Sequence, residues 1–425
     1  MENRSPVLIS RTESGVPTNG RLNGSHRVAP SSDRDETFMR RALHLARRAQ
    51  GWTSPNPAVG AVIVRGGRIV GQGFHRKAGW PHAEVEALRQ AGSAARGATL
   101  YVTLEPCNHT GRTPPCCNAI IRAGIAKVVA AMKDPNPITD GRGIARLRRA
   151  GIPVSTDILQ PDAEALNVPF CKAMRRGLPF VTVKVGQSLD GKIATRTGAS
   201  RWITSAASRR LVHAYRGEAD AILVGINTVL RDDPRLTIRG VRHRMDRPIK
   251  IIVDSRLRIP LTARCLSRRP ATLIATTVRG GEKRRRLAAR GVEVVTLPSR
   301  RSRVPLRQLF HLLVRRGMHS VLIEGGGDVI AGALAERLVD RVTFFVAPIL
   351  IGGRTAPTAV GGEGISRLSR AVRLDDVTAR HIGPDLCIEG RVVYPTTVRR
   401  FSPLRRLAGS GVERSTGKQG RRQTG

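Results

Sequence analysis

Hydrophobic and polar positions first fall into a repeating order at Asp33. Before it, residues 1–32 are rich in Ser, Gly, Pro, Asn and Arg without any period, a composition that predicts a disordered leader. From Asp33 the spacing D-x-x-E, Asp33 to Glu36, reads as a capping box ahead of the helical run FMRRALHLARRAQ. After Pro55-Asn56-Pro57, the apolar stretch AVGAVIV, the pair Gly66-Gly67 and the stretch RIVGQGFH predict a hairpin turned on glycine. A helix (AEVEALRQAG), a strand (ATLYVTLEP), a helix starting near Pro115 (CCNAIIRAG), a strand (KVVAAM), a helix (GIARLRRAG) and a strand (IPVSTDIL) follow. Strands alternating with helices predict an α/β sandwich around a largely parallel sheet over residues 33–160.

Residues 161–177 read as a helical linker. Over 178–394 a second series alternates, with strands PFVTVKV, AILVG, IKIIVDS, ATLIATT, VEVVTL, SVLIE, RVTFFVAPIL and LCIEGRVVY and helices between several of them. A second α/β domain is expected there. From 395 to 425 the apolar pattern gives way to Arg, Ser and Gly, which predicts a basic disordered tail. No apolar run reaches the length of about 18 residues that would span a membrane. The first thirty residues also lack the apolar segment of a secretory signal. An Arg- and Ser-rich leader is compatible with an organelle transit peptide, but Glu2, Glu13 and the lack of an amphipathic helix weigh against it.

The formal net charge of +41 raises nucleic-acid binding as a function class. Two features weigh against it. Aromatic residues make up only 3% of the chain, so platforms on which bases could stack are scarce. The arginines are also spread along the whole length. The charge then reads as solvated arginine faces whose field gathers phosphorylated substrates and NADP(H). Of the six cysteines, Cys107, Cys116 and Cys117 cluster while Cys171, Cys265 and Cys387 are scattered. That is a poor disulfide framework and a plausible metal pattern, in a reducing, cytoplasmic compartment.

The metal pattern has a specific form. His82-Ala83-Glu84 opens a predicted helix, Pro106-Cys107 ends a strand, and Cys116 stands at the start of the next helix. One imidazole and two thiolates leave a fourth tetrahedral position for water, which marks a catalytic zinc site; a structural site closes all four. Glu84, two positions after His82, reaches that water without being a ligand and serves as the proton shuttle. This H-x-E…P-C…C arrangement belongs to zinc nucleobase deaminases, although their two cysteines are usually spaced C-x-x-C and here lie nine positions apart. Spacing alone leaves Cys117 open as an alternative ligand and His109 as a rival nitrogen. A structural Cys/His site is the bland alternative.

At this point the residues become specific to a family. PNPAVGAVIV, AGWPHAEVEAL, TLYVTLEPCNHTGRTPPC and KDPNP closely resemble the deaminase half of the bifunctional riboflavin-biosynthesis deaminase/reductases, whose own form includes the long P-C-x8-C loop. KVGQSLDGKIA, SRWITS, DDPRLTIR, DSRLRIP and IEGGGDVIAGAL resemble its reductase half, so the likeness runs from about residue 33 to 394. It implies a cytidine-deaminase-like α/β/α sandwich followed by a dihydrofolate-reductase-like domain. It also implies two consecutive steps. The ring amino group of 2,5-diamino-6-ribosylamino-4(3H)-pyrimidinone 5′-phosphate is lost by hydrolysis. NADPH then reduces the ribosyl group of 5-amino-6-(5-phosphoribosylamino)uracil to ribityl. By resemblance His82, Cys107 and Cys116 bind one zinc per chain, Glu84 moves the proton, and Asn56 and His75 face the deaminase pocket. Asn56 could equally cap a turn between its prolines. The resemblance also implies a homo-oligomer.

The second half is less legible from its residues alone. Glu324-Gly325-Gly326-Gly327 lies between the strand SVLI and the helix DVIAGALAERL, where glycines let a backbone approach a phosphate. It does not form G-x-G-x-x-G, and a plain tight turn explains it as well. The resemblance makes Gly186, Trp202, Thr228, Asp232, Ser255, Gly326, Gly327 and Asp328 the cofactor contacts. Ser200, Arg216, Leu236, Arg239 and Glu324 become the substrate contacts, with Arg216 and Arg239 suited to a phosphate by their forked donors. Lys184 and Asp190 flank the same pocket, with a sheet-end ion pair as the competing reading. Two rival functions remain on the page. One is a nucleic-acid-editing zinc deaminase with a basic accessory domain; the other is a nucleic-acid-binding protein whose zinc is structural.

Overall fold

The structure, a computed structural model, describes residues 33–395 except 112, 245, 268, 300 and 301; the leader and the tail beyond 395 lie outside the described residues. The chain divides between Arg175 and Arg176 into two compact units.

The first unit runs α1 (Asp33–Arg47), β1 (Gly60–Arg65), β2 (Arg68–Phe74), α2 (Ala83–Ala91), β3 (Thr99–Val102), α3 (Cys116–Arg122), β4 (Lys127–Ala130), α4 (Arg142–Arg149), β5 (Val154–Ser155), α5 (Gln160–Leu166) and α6 (Val168–Arg176). Helix α1 already includes Asp33, so Asp33, Asp35 and Glu36 sit in its first turn. There they complement the positive end of the helix dipole. Met39, Ala42, Leu43 and Ala46, spaced at helical period, are buried. They come so close to β1 that a Cβ on Gly60 would lie 2.0 Å from the Ala42 carbonyl oxygen.

The sheet order is β2-β1-β3-β4-β5. β1 pairs antiparallel with both β2 and β3, whereas β3, β4 and β5 are parallel. The sheet is therefore mixed, not largely parallel. The hairpin at Gly66 and Gly67 (φ 55° and 75°) forces β1 and β2 to run in opposite directions. Residues 161–177, read as a helical linker, form most of α5 and all of α6. Their Ala163, Leu166, Phe170 and Cys171 are buried in the first unit's core, and Asn167 hydrogen-bonds the Ala58 backbone.

The second unit contains β6 (Phe180–Ser188), α7 (Ala206–Glu218), β7 (Ala221–Gly225), α8 (Ile226–Asp232), β8 (Ile249–Val253), β9 (Thr272–Thr276), α9 (Glu282–Ala289), β10 (Glu293–Thr296), α10 (Leu306–Arg315), β11 (Ser320–Ile323), α11 (Gly327–Ala335), β12 (Arg341–Ala347), β13 (Arg373–Ile382) and β14 (Asp385–Val393). The order is β10-β9-β8-β7-β11-β6-β12-β14-β13, parallel from β10 to β12 and antiparallel beyond. Strand alternation sorts the core by face. Leu223 and Ile251 pack with Leu309, Phe310 and Leu313 of α10, while Ile222, Val224, Ile252 and Ile274 pack with Leu287 of α9. β13 is not foreshadowed by the pattern, because nine of its ten residues are exposed and no apolar face marks it. Among the described residues, no helix is long and apolar enough to cross a membrane.

Candidate active sites

Two helix starts and a strand end assemble the cluster in the first unit. His82 is the residue capping α2, Cys116 is the first residue of α3, and Cys107 lies just past β3. His82 Nδ1 stands 3.1 Å from Cys116 Sγ and 3.6 Å from Cys107 Sγ, and the three ligand atoms all lie within 4.8 Å of one another. The Cys107 thiol is held down to about 4, chiefly by the Cys116 thiol donating to it. His82 and the Cys116 backbone N–H, 3.3 Å away, also contribute against the opposing effect of burial. Cys116 is correspondingly raised. Two sulfurs and an imidazole this close are a donor set that suits a soft divalent ion, and zinc in particular.

Cys117 points elsewhere. Its thiol donates to the carbonyls of Pro106 (3.4 Å) and Gly143 (3.6 Å), and burial pushes it up to about 12. His109 is not among the clustered ligand atoms. Glu84, in the first turn of α2, is buried beside the cluster; burial raises its carboxyl and His82 opposes that rise. Asn56 is drawn into the same site, its Nδ2 3.0 Å from His75 Nε2. His75 Nδ1 is 3.1 Å from the Pro81 carbonyl, and the His75 ring meets His82 edge-on at 5.1 Å.

Two residues here escaped sequence reasoning. Thr113 Oγ1 lies 3.3 Å from His82 Nε2, within the long loop between the cysteines. Glu105, two positions before Cys107, is buried and accepts four backbone N–H groups: Asp134 (3.2 Å), Gly141 (2.9 Å), Gly143 (2.8 Å) and Ile144 (3.1 Å). Its carboxylate sits on the positive end of α4 and ties the strand end carrying Cys107 to the 134–144 segment. The packing is close, since a Cβ on Gly143 would lie 2.0 Å from the Pro106 carbonyl oxygen. The only sequence signal for Glu105 was an acidic residue in an otherwise apolar strand.

In the second unit, the turn Gly325-Gly326-Gly327 joins β11 to α11. Gly325 and Gly326 have φ of 123° and 86°, and a Cβ on Gly326 would lie 3.2 Å from the Gly225 nitrogen. Only glycine fits, so the start of α11, with Asp328 in its first turn, presents bare backbone, the kind of helix start that can hold a phosphate group. Thr228 of α8 faces this turn, its Oγ1 3.2 Å from where a Gly325 Cβ would stand. Gly186 in β6 faces Thr204. Ser200 donates to Asp232 (3.0 Å). Trp202 is 66% exposed, with the Arg209 guanidinium 4.3 Å above its ring. Ser255 follows β8, and its hydroxyl accepts the Val304 N–H at 3.1 Å.

Arg216 departs from expectation. Its Nε and Nη2 donate to both oxygens of Glu324 at 2.6 and 2.7 Å, and Nη1 donates to the Thr237 carbonyl at 2.8 Å. The fork expected to hold a phosphate is therefore spent on a buried carboxylate, whereas Arg239 is exposed. Lys184 lies near this pair. Burial pushes its ammonium down, with Glu324 opposing and Arg216 reinforcing the shift. His213 of α7, unremarked in the sequence, sits among these charges. Burial lowers it, Arg216, Arg239 and Lys184 add to the shift and Glu324 opposes, while its Nδ1 accepts the Arg239 N–H at 3.3 Å. Leu236 is buried at φ 52°, so only its backbone is available to a ligand. Asp190 accepts from Ser188 Oγ (2.5 Å), Ile351 N (3.1 Å) and Gly352 N (2.6 Å), ordering the 351–352 backbone.

Known proteins match both units. Residues 32–132 match the cytidine and deoxycytidylate deaminase zinc-binding region, and residues 179–388 match the RibD C-terminal domain. The chain is 45% identical over 354 residues to the riboflavin biosynthesis protein RibD of Aquifex aeolicus, covering 83% of this chain and 97% of that protein. It is 42% identical over 365 residues to RibD of Escherichia coli, covering 83% and 98%. Acinetobacter baumannii RibD matches with a TM-score of 0.78 at 38% identity, over 85% of this chain and 99% of that structure. The Thermotoga maritima diaminohydroxyphosphoribosylaminopyrimidine deaminase/5-amino-6-(5-phosphoribosylamino)uracil reductase matches with 0.73 at 34% identity, over 85% and 99%.

Proposed function

The chain belongs to the RibD family of bifunctional riboflavin-biosynthesis deaminase/reductases, and from that membership we propose which of its residues act at each of its two sites. The enzyme deaminates 2,5-diamino-6-ribosylamino-4(3H)-pyrimidinone 5′-phosphate with zinc. It then reduces the ribosyl group of the resulting uracil with NADPH. A nucleic-acid-editing deaminase does not account for the reductase match over 179–388.

At the first site His82, Cys107 and Cys116 hold the zinc. The observation that carries this reading is the convergence of their three ligand atoms within 4.8 Å. Zinc, when bound, supplies Lewis-acid activation of a water molecule. With zinc bound, Glu84 would carry one proton of that water to the ring nitrogen and the second, from the hydroxyl then on the ring carbon, to the leaving amine. With Nδ1 given to the metal, His82 would carry its proton on Nε2 and donate it to Thr113 Oγ1, 3.3 Å away, while Asn56 and His75 orient the pyrimidine. At the second site NADPH, when bound, supplies a hydride. The start of α11 at Gly326, Gly327 and Asp328 holds its pyrophosphate, with Gly186, Trp202, Thr228, Asp232 and Ser255 along the rest of the cofactor. Arg239 takes the substrate phosphate. The Arg216–Glu324 pair, Ser200 and the Leu236 backbone place the ribosyl group, and Lys184 stabilises charge developing on the sugar oxygen.

The protein works as a homo-oligomer in the cytoplasm. Support for the first point is the run of exposed apolar side chains Ile349, Leu350, Ile365, Leu368 and Val377 in one stretch of the second unit. Support for the second is that all six cysteines are unpaired. Light scattering on the purified protein tests the oligomer. For the chemistry, the protein is incubated with the diaminopyrimidinone phosphate, with and without NADPH, and the products are identified by mass. Deaminated product without NADPH, and ribityl product with it, is the expected outcome; reduction without prior deamination overturns the order of steps.

A further inference from the structure

Three elements of the first unit enclose a cavity that no step of the chemistry uses. It holds about 160 Å³ between the end of α1, the strand β2 and the helix α2, and its walls carry Arg48, Gln72, Phe74, Arg76, Glu86 and Gln90. That is well under the roughly 300–1,000 Å³ of a pocket for a drug-sized ligand, so a nucleotide does not fit and a small ion does.

The polar groups already taken decide which kind of ion. β2 is the edge strand of its sheet, and the Gln72 N–H donates to Gln90 Oε1 at 2.8 Å. Gln72 Oε1 accepts from Arg41 Nε and Nη2 at 3.1 and 2.8 Å. In both cases the partner is a pure donor, which fixes the amide with its oxygen toward that partner and leaves its Nε2 without an acceptor among the described residues. Glu86, the one carboxylate in the walls, is paired with Arg89 at 3.1 Å. Arg48 and Arg76 stand over the same ring, Phe74, at 4.8 and 5.4 Å from its centre. Neither has an ion pair or a side-chain hydrogen bond among the described residues. The cavity thus offers two guanidinium groups and two amide Nε2 groups, all donors, and an acceptor-rich anion satisfies such a set.

These donors come from three different elements, which suits the three oxygens of a phosphate monoester better than the two coplanar oxygens of a carboxylate. The cavity also lies on the other side of the chain from the first site, because Phe74 and Arg76 alternate with His75, whose ring meets His82 at 5.1 Å. We propose that this cavity is a binding site for a small phosphate-bearing anion, separate from the substrates of both steps. Its walls belong to the elements that carry the first site: β2 runs directly into His75, and α2 opens on His82 and Glu84. The bound anion bridges β2 and α2 from behind and braces the strand against the helix.

The test is calorimetric titration of the full-length protein with inorganic phosphate, at an ionic strength held constant with sodium chloride. Arg48→Gln and Arg76→Gln each weaken one binding event about tenfold, the usual worth of a charge-assisted contact. Gln90→Glu abolishes it. The new carboxylate still accepts the Gln72 N–H, so the fold keeps that bond while the anion meets a negative charge. Arg68→Gln, an exposed cation at the start of β2, changes nothing. In the deaminase assay, any effect of phosphate on the KM for the pyrimidine substrate is the same in the wild type and in Gln90→Glu. Equal weakening by Arg68→Gln, or none by any variant, overturns the site and reduces phosphate binding to the overall charge of the chain. A rise of that KM with phosphate in the wild type that Gln90→Glu removes overturns the separation from the substrate.

Discussion

The two units solve the same problem, holding a phosphorylated pyrimidine for one chemical step, by opposite means. The deaminase site is made of side chains. An imidazole, two thiols and a carboxylate converge from α2, α3 and the end of β3, and each is there for its own chemistry. The proposed reductase site is made largely of backbone shape, comprising a glycine turn that no side chain would fit, a buried Arg–Glu pair and a row of strand ends. The difference follows from who brings the reactivity. Water has to be activated by the protein and its metal, whereas hydride arrives with the cofactor and needs only to be placed. Side-chain chemistry leaves a residue signature; placement leaves a topology.

If the contrast holds, the largest effect comes from attacking the first site alone. Chelating zinc abolishes deamination and leaves NADPH oxidation with the deaminated substrate intact. Glu84→Gln keeps its zinc yet loses roughly a hundred- to ten-thousandfold in deamination, the usual worth of a general acid/base. Metal analysis and separate assays of the two steps decide both, and loss of reduction in either case would mean the sites are not independent.

Next in size is the buried pair of the second unit. Arg216→Ala leaves Glu324 buried without its cation and costs about 3–5 kcal/mol of that unit's stability, the range for breaking such pairs. Denaturant unfolding shows the second unit's transition moving to lower concentration while zinc retention and deamination persist below it. If stability is unchanged and only reduction falls, Arg216 belongs to the chemistry and the site is less a matter of shape than argued.

A smaller effect tests whether the first site also depends on backbone placement. Glu105→Ala leaves four buried N–H groups without their acceptor, at about 1–3 kcal/mol for such a deficit. Zinc dissociates faster from this variant under chelator competition, and reduction is untouched. The smallest effect concerns the charge. Raising ionic strength from 0.1 to 1 M shortens the Debye length from about 10 to about 3 Å. That raises the KM for the ribosyl phosphate and for NADPH, with little change in kcat.

Much of this was legible in the sequence. Alternation placed thirteen of the fourteen strands, because each has at least one apolar face to bury. β13 was missed because its side chains face solvent and its place is fixed by pairing with β14 alone. The helices after residue 160 looked like a linker because they stand between two alternating series, although Ala163, Leu166, Phe170 and Cys171 are buried in the first core. Spacing alone left Cys117 open beside Cys116, which the resemblance preferred, since adjacent residues on one helix differ only in direction; the Cys116 sulfur is the one that lies with His82 and Cys107. Glu105, Thr113 and His213 act through partners distant in the chain, which no local spacing encodes. Arg216 was recognised as special, but its partner Glu324 stands 108 positions away.

The sheet order of the second unit carries a consequence for how the protein is made. β6 is the first strand of that unit to be synthesised, yet it lies between β11 and β12, and the Val181 N–H waits for Asp340, 159 positions later. At the usual five to twenty residues per second, a ribosome needs roughly ten to thirty seconds to supply those neighbours. Through that interval an apolar strand has both edges unpaired, while the first unit, whose five strands pair among themselves, is already complete. The nascent second unit thus passes through a stage with an apolar strand open on both edges, tethered to a first unit whose strands can already all be paired.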